Sequence, residues 1–219
     1  AGINVQALRQ GALAMRHAGL RPGLVNPARA SARVLHRHYR QGKVIHDSFF
    51  FHPELESLGK WYRQLVGESL GKEKNARGAV VNAGIFPSVS LGSTDLHSVG
   101  QLYLGGPKNF VATFVAARRV ARVAIPRRTQ FAGLVDGIAG KSAAAVMAAV
   151  LAGVKIAYAK RGVPCMEVAL DDLSERSLGA FLQFKMIEVM LLAKLMGVNA
   201  FDQPNVESYK TETRRILGG

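Results

Sequence analysis

Short apolar runs of strand length alternate along this chain with longer segments of helical period, and that alternation constrains the fold more than any single residue does. Lys43–Phe51 (KVIHDSFFF) and Val163–Leu170 (VPCMEVAL) are rich in β-branched, aromatic and aliphatic residues and read as strands. Ala79–Asn82 and Phe110–Ile125 hold further strand-like material. Helical patterns fill the intervals: Ile3–His17, then Pro27–Arg40 with Asn26 as N-cap, a segment from Pro53 that Gly67 should stop, and Ala-rich Lys141–Lys160. Ser174 is placed to cap a long helix reaching Met196, apolar nearly all round in its second half, and a last helix is expected from Pro204 to Gly218. Strands separated by helices of this length need crossover connections, so the expected fold is a three-layer α/β/α sandwich with a mostly parallel sheet and a C-terminal helix. Ligands in such folds gather where strands hand over to loops and helix ends.

Composition narrows the chemistry. The 219 residues contain one cysteine, Cys165, so neither an internal disulfide nor a thiolate metal site is available, and a reducing cytoplasm is the expected location. The longest uncharged stretch, Ser142–Val154, falls short of the roughly 20 residues of a bilayer crossing, so no membrane span is expected. The N-terminus lacks both a secretory pattern and an initiator methionine, which suggests a piece of a longer chain. A net charge of +14 attracts polyanions or phosphorylated small molecules alike. The charge concentrates in Arg33–Lys43 and Arg118–Arg128, and the second run has neither interleaved aromatics nor glycine clamps, which argues against nucleic acid.

Three segments carry more chemistry than packing requires. In Gly67–Lys72 (GESLGK), flanking glycines allow close backbone approach to a ligand, and Glu68 can serve as a general base. In Gly92–Gln101 (GSTDLHSVGQ), Thr94 or Asp95 is expected to cap a short helix whose first turn holds His97, suited to exchanging a proton with a substrate oxygen. In Asn199–Lys210 (NAFDQPNVESYK), helix initiation at Pro204 would put Gln203 and Lys210 on one stripe, an amide and an ammonium together. Each also has a plain reading, as a surface glutamate, a capping histidine and an exposed lysine. His36 and His38 are two apart and point away from each other on a helix; no calcium loop, phosphate-binding loop or nucleophile elbow is present, and no metal or organic cofactor is expected.

Together and in this order, the three segments resemble the glucose-6-phosphate isomerases (phosphoglucose isomerases), the aldose–ketose isomerases of glycolysis and gluconeogenesis, in their bacterial branch. GESLGK is similar to the family's ESxGK segment, STDLHSVGQ to its bacterial histidine motif, and NAFDQPNVESYK to its NPFDQPGVExxK signature, with Ala200 and Asn205 as departures. The resemblance implies the sugar isomerase (SIS-like) sandwich over 41–219, behind an N-terminal helical segment at 1–40. It implies that Glu68 moves a proton between C1 and C2 through a cis-enediol, that His97 assists ring opening, that Lys210 acts at the ring oxygen, and that Gln203 contacts substrate. A homodimer is implied, with His97 reaching the neighbouring subunit's site. The chain matches only the C-terminal half of such an enzyme: the Ser/Thr-rich phosphate loop and an arginine beside the enediol would come from an N-terminal half, in cis or in trans. Without them the isolated chain is expected to be nearly inactive. The alternative is a non-catalytic basic module that binds sugar phosphates or nucleic acid.

Overall fold

The computed structural model describes residues 2–22, 26–127 and 136–218. Arg128, which closes the second basic run, lies outside the described residues. Four parallel strands form the central sheet in the order β4-β1-β5-β6, with β1 Ile45–Phe50, β4 Phe86–Leu91, β5 Phe110–Ala117 and β6 Cys165–Leu170. A small antiparallel ribbon pairs β2 (Lys72–Lys74) with β3 (Val80–Ala83). The helices are α1 Val5–Leu20, α2 Pro27–Arg40, α3 Glu56–Leu70, α4 Thr94–Ser98, α5 Gly100–Gly105, α6 Ala143–Lys160, α7 Glu175–Met196 and α8 Val206–Leu217. The α/β class with a mostly parallel sheet and a C-terminal helix is therefore the observed one.

Both faces of the sheet are covered, as parallel sheets require. Residues of β1 alternate between them. Phe50 faces a core completed by Leu55, Val115, Leu170 and Phe181. Beside it, Leu35 of α2, Tyr62, Val66 and Leu70 of α3, and Val189 and Leu192 of α7 close the same side. Phe49 and Phe51 face the opposite layer, packing with Phe110, Phe114 and Tyr158 and with Val150, Leu151 and Val154 of α6. Helix starts follow local chemistry: Asn26 accepts from the Arg29 N–H, Ser142 from Ala145 and Ser174 from Ser177. Helix α1 lies on α7 at backbone contact distance. A Cβ on Gly11 would stand 1.8 Å from the Arg176 carbonyl oxygen, and one on Gly179 would stand 1.9 Å from that of Leu8. Neither position has room for a side chain.

The 18 residues of α6, with mean hydropathy 1.5, are long and apolar enough to cross a membrane, because its two lysines fall at positions the uncharged stretch excluded. Only 6% of that window is buried, and the alanine-rich outer side is exposed while the inner side covers the sheet.

Between the sheet and α7 lies a buried polar network. Lys185 and Glu188, 1% and 0% exposed, form an ion pair with Nζ–Oε distances of 2.9 and 3.1 Å. Glu188 also accepts from the Tyr62 hydroxyl at 2.8 Å and from Ser31, while Lys185 stands 4.5 Å from the Tyr62 ring centroid. His46 shares a hydrogen bond of 2.7 Å with Thr113 and contacts the Tyr62 hydroxyl at 3.4 Å. Burial, reinforced by the Lys185 charge, holds the His46 imidazole well below its ordinary pKa.

Two outcomes follow. Lys185→Met strands the Glu188 charge and should cost about 3–5 kcal/mol in urea unfolding, more than the double replacement of Lys185 and Glu188 by apolar residues. Because His46 stays neutral when folded, the unfolded chain takes up its proton first as pH falls below 6.5. Stability should therefore decline from there downward, toward the lower folded-state value, by up to about 1.4 kcal/mol per pH unit. Unfolding titrations of wild type and His46→Gln between neutral and mildly acid pH should show that component only in the wild type.

Candidate active site

Helix α3 does not stop at Gly67. An internal glycine costs only about 1 kcal/mol relative to alanine, and the buried Ser69 and Leu70 repay the extra turn by continuing the inward face of Tyr62 and Val66. The helix ends at Gly71, so Glu68 sits in the last turn rather than in a following loop. Its carboxylate is exposed and held by two amides: Gln64, one turn earlier, donates to Oε1 at 3.0 Å, and Gln203 donates to Oε2 at 2.9 Å across 135 positions of sequence. Glu68 and Gln203 are thus brought together.

Lys72 explains how. Its side chain is 4% exposed, and its ammonium donates to the Glu68 carbonyl at 2.8 Å, pairs with the Asp202 carboxylate at 3.1 Å and also donates to the Asp202 carbonyl. One cation ties the end of α3 to the residue before Gln203. The ammonium holds the Asp202 carboxyl below its ordinary pKa. Lys72 lies inside the GESLGK motif, but nothing in its spacing separates a buried clamp from a surface lysine; the pairing with Asp202 was missed.

The same clamp alters the C-terminal segment. Helix α8 starts at Val206 with Asn205 at its N-cap position, so Gln203 and Pro204 precede the helix. The stripe expected to unite Gln203 with Lys210 is not formed, because Asp202 and Gln203 are committed to Lys72 and Glu68 and draw the chain across the end of α3. Lys210 pairs instead with Glu207 at 2.8 Å, which raises its ammonium pKa, and has no hydrogen bond to Glu68 or Gln203 among the described residues.

His97 is exposed on α4, which is only five residues long. Ser93 occupies the N-cap position without a side-chain cap bond, and Thr94 and Asp95 lie inside the helix. His97 belongs to its last turn as well as its first, so the distinct helix N-terminus expected beside it is not there. Asp95 instead accepts the Leu91 N–H at 2.7 Å and the Ser98 hydroxyl at 2.8 Å.

His97 and Glu68 occupy opposite edges of the sheet. Helix α3 follows the C-terminal end of β1 and runs back, and Gly84, just before β4, packs against Gly71 at its close. Glu68 therefore sits near the N-terminal edge of the strands. Helix α4 follows the C-terminal end of β4, so the length of that strand, about 20 Å, separates the two groups. Within one copy they cannot touch the same sugar. A cavity of about 820 Å³ lies elsewhere, between α1, α2, α7 and β6, and contains none of Glu68, His97, Gln203 or Lys210.

The architecture defines an α/β protein with a parallel sheet. No protein-family model matches the chain. It is 33% identical over 220 residues to a glucose-6-phosphate isomerase of Symbiobacterium thermophilum, covering 100% of this chain and 47% of that one. It is 35% identical over 222 residues to that of Heliobacterium modesticaldum, with the same coverages. The chain spans about half the length of the curated relatives it matches. A crystal structure of a hypothetical protein from Thermus thermophilus superposes with a TM-score of 0.92 at 29% identity, over 100% of this chain and 51% of that one. A glucose-6-phosphate isomerase from Chlamydia trachomatis shares the fold, with a TM-score of 0.82 at 20% identity over 97% of this chain and 42% of that one. The resemblance to glucose-6-phosphate isomerases carried by the three motifs therefore holds along the whole chain.

If Lys72 is the clamp, Lys72→Met should leave the central sheet intact while amide exchange in residues 199–205 accelerates by at least about tenfold, as expected for loss of a charge-assisted contact. Hydrogen-exchange mass spectrometry of the two proteins checks this.

Proposed function

We propose that this chain is the C-terminal half of a cytoplasmic glucose-6-phosphate isomerase that interconverts glucose 6-phosphate and fructose 6-phosphate through a cis-enediol. The observation that carries the reading is the Glu68 carboxylate, held in place by Gln64 and Gln203 at the meeting point of two matching motifs. The similarity along the whole of this chain to about half of each isomerase supports it.

The chemistry asks for little more than a positioned base. Glu68 takes the proton from C2 of the open-chain aldose; the C2–H electron pair becomes the C1=C2 bond, and the carbonyl π electrons move to O1, which is protonated. Return of the proton to C1, with loss of the O2 proton, gives the ketose. As C1 is reduced and C2 oxidised within one molecule, the overall change needs no external electron carrier. Gln203 fixes the Glu68 carboxylate and contacts substrate, Lys210 acts at the ring oxygen once released from Glu207, and His97 assists ring opening.

The two-edge geometry favours a homodimer, in which one copy's His97 serves the other's Glu68. The phosphate grip and a cation for the enediolate are proposed to come from an N-terminal half, in cis or in trans. Loss of that grip removes the binding energy that orients C1 and C2, where a misplacement of about 1 Å costs about 100-fold. The alternative, a non-catalytic basic module, draws less support because Arg118 and Arg119 are paired with Asp171 and Asp172 at 3.7 and 3.0 Å.

In the complete enzyme, Glu68→Gln should abolish isomerisation, followed by a coupled assay, while leaving the unfolding free energy within about 1 kcal/mol of wild type. Mixing Glu68→Gln subunits with His97→Ala subunits should restore part of the activity that each lacks alone. The 219-residue chain by itself should show negligible turnover, and robust turnover would refute the need for a second half.

A further inference from the structure

We propose that Asp47 is a positioning residue for His97, acting from the middle of the sheet through Tyr103 of α5 and through Ser88 and Ser90 of β4. The inference rests on the reading of His97 as the ring-opening group and extends it to residues outside the three motifs. Helix α4 has a single turn, and a single turn cannot fix its own axis, since helix nucleation is unfavourable. What aims His97 must therefore lie outside α4.

Two anchors are present. On the near side, Asp95 binds the Leu91 N–H at the end of β4. On the far side, α5 continues directly from α4, and Tyr103 turns back into the protein, its hydroxyl 3.2 Å from Asp47 Oδ1 and 3.0 Å from Ser90 Oγ. Ser88 and Ser90, the latter at 2.9 Å, donate to the same Asp47 oxygen, and β1 registers Asp47 beside Ser88. Strand β4 and helix α5, the elements on either side of His97, thus meet on one carboxylate oxygen.

Asp47 is a poor choice for packing. It is 0% exposed, two positions before Phe49 on the same face of β1, in the layer that also holds Phe110 and Phe114; among the described residues its Oδ2 has no hydrogen-bond partner, and neither has the nearby Tyr158 hydroxyl. Burial raises the carboxyl pKa, against the opposing pull of the three hydroxyls. An aliphatic residue would avoid the unpartnered Oδ2 but would take the acceptor away from the Ser88, Ser90 and Tyr103 hydroxyls. What the carboxylate adds is a fixed point for three hydroxyls.

The test uses Tyr103→Phe, which removes one hydroxyl, and Asp47→Leu, which removes the hub. Hydrogen exchange in the chain should accelerate by at least about tenfold in residues 93–105 and stay unchanged in β5, β6 and α7. In the complete enzyme, turnover of glucose 6-phosphate should fall by about 100-fold with KM nearly constant, as for a misplaced group. The companion substrate is D-erythrose 4-phosphate, whose only ring-closing hydroxyl is esterified, so that it needs no ring opening. Its Glu68-dependent exchange of the C2 hydrogen with solvent deuterium should be preserved. Equal loss on both substrates in Tyr103→Phe, or unchanged exchange in residues 93–105, would overturn the proposal. If the wild-type enzyme acts on neither sugar, the function reading fails instead. The exchange experiment then decides the placement of His97 alone.

Discussion

The ion pair between Lys185 and Glu188 is the contact around which one side of this molecule is assembled. It is buried among apolar neighbours, where an isolated charge is untenable, and its satisfaction draws on Ser31 of α2 and Tyr62 of α3. Through Tyr62 the network reaches His46 of β1, and through His46 it reaches Thr113 of β5. Three helices and two strands are therefore registered against one carboxylate. Because α3 carries Tyr62 and Glu68 six residues apart, the depth and rotation of the proposed base are set by this interior contact as well as by the Lys72 clamp at the helix end.

The two proposed functional regions are built in different ways. Glu68 sits on a helix of 15 residues whose inner face is locked into a core, and its partner amide is delivered by a loop held through a buried ammonium. His97 sits on a one-turn helix and borrows its order from neighbouring elements. One region is rigid from within and the other is braced from outside. Their separation along the strands is what leads to the proposal of a mechanism divided between two copies, with proton abstraction in one subunit and ring opening supplied by its neighbour.

What the sequence disclosed follows from which signals are local. Asn26, Ser142 and Ser174 announce helix starts because a capping side chain needs only its own next turn. Strands β1 and β6 were legible from their apolar density. Strand β4 was not: in FPSVSL one face carries an exposed Phe86 and two serines bonded to Asp47, so the continuous apolar run of a buried parallel strand is missing, and Pro87 weakens the pattern further. Gly67 misled because a helix anchored by buried neighbours overrides a weak breaker. The stripe of Gln203 and Lys210 failed for a non-local reason: its first residue is claimed by Glu68, far away in sequence. The motifs named the chemical groups, but the clamp by Lys72 and the hub at Asp47 depend on contacts that only the fold creates.

The meeting of α1 and α7 carries one more implication. Where Gly11 and Gly179 let two backbones touch, no flexible side chain lies between the helices to absorb a displacement. The joint cannot slide by repacking, and the pair must travel as one beam. A rearrangement that shifts α7 would therefore carry α1 with it.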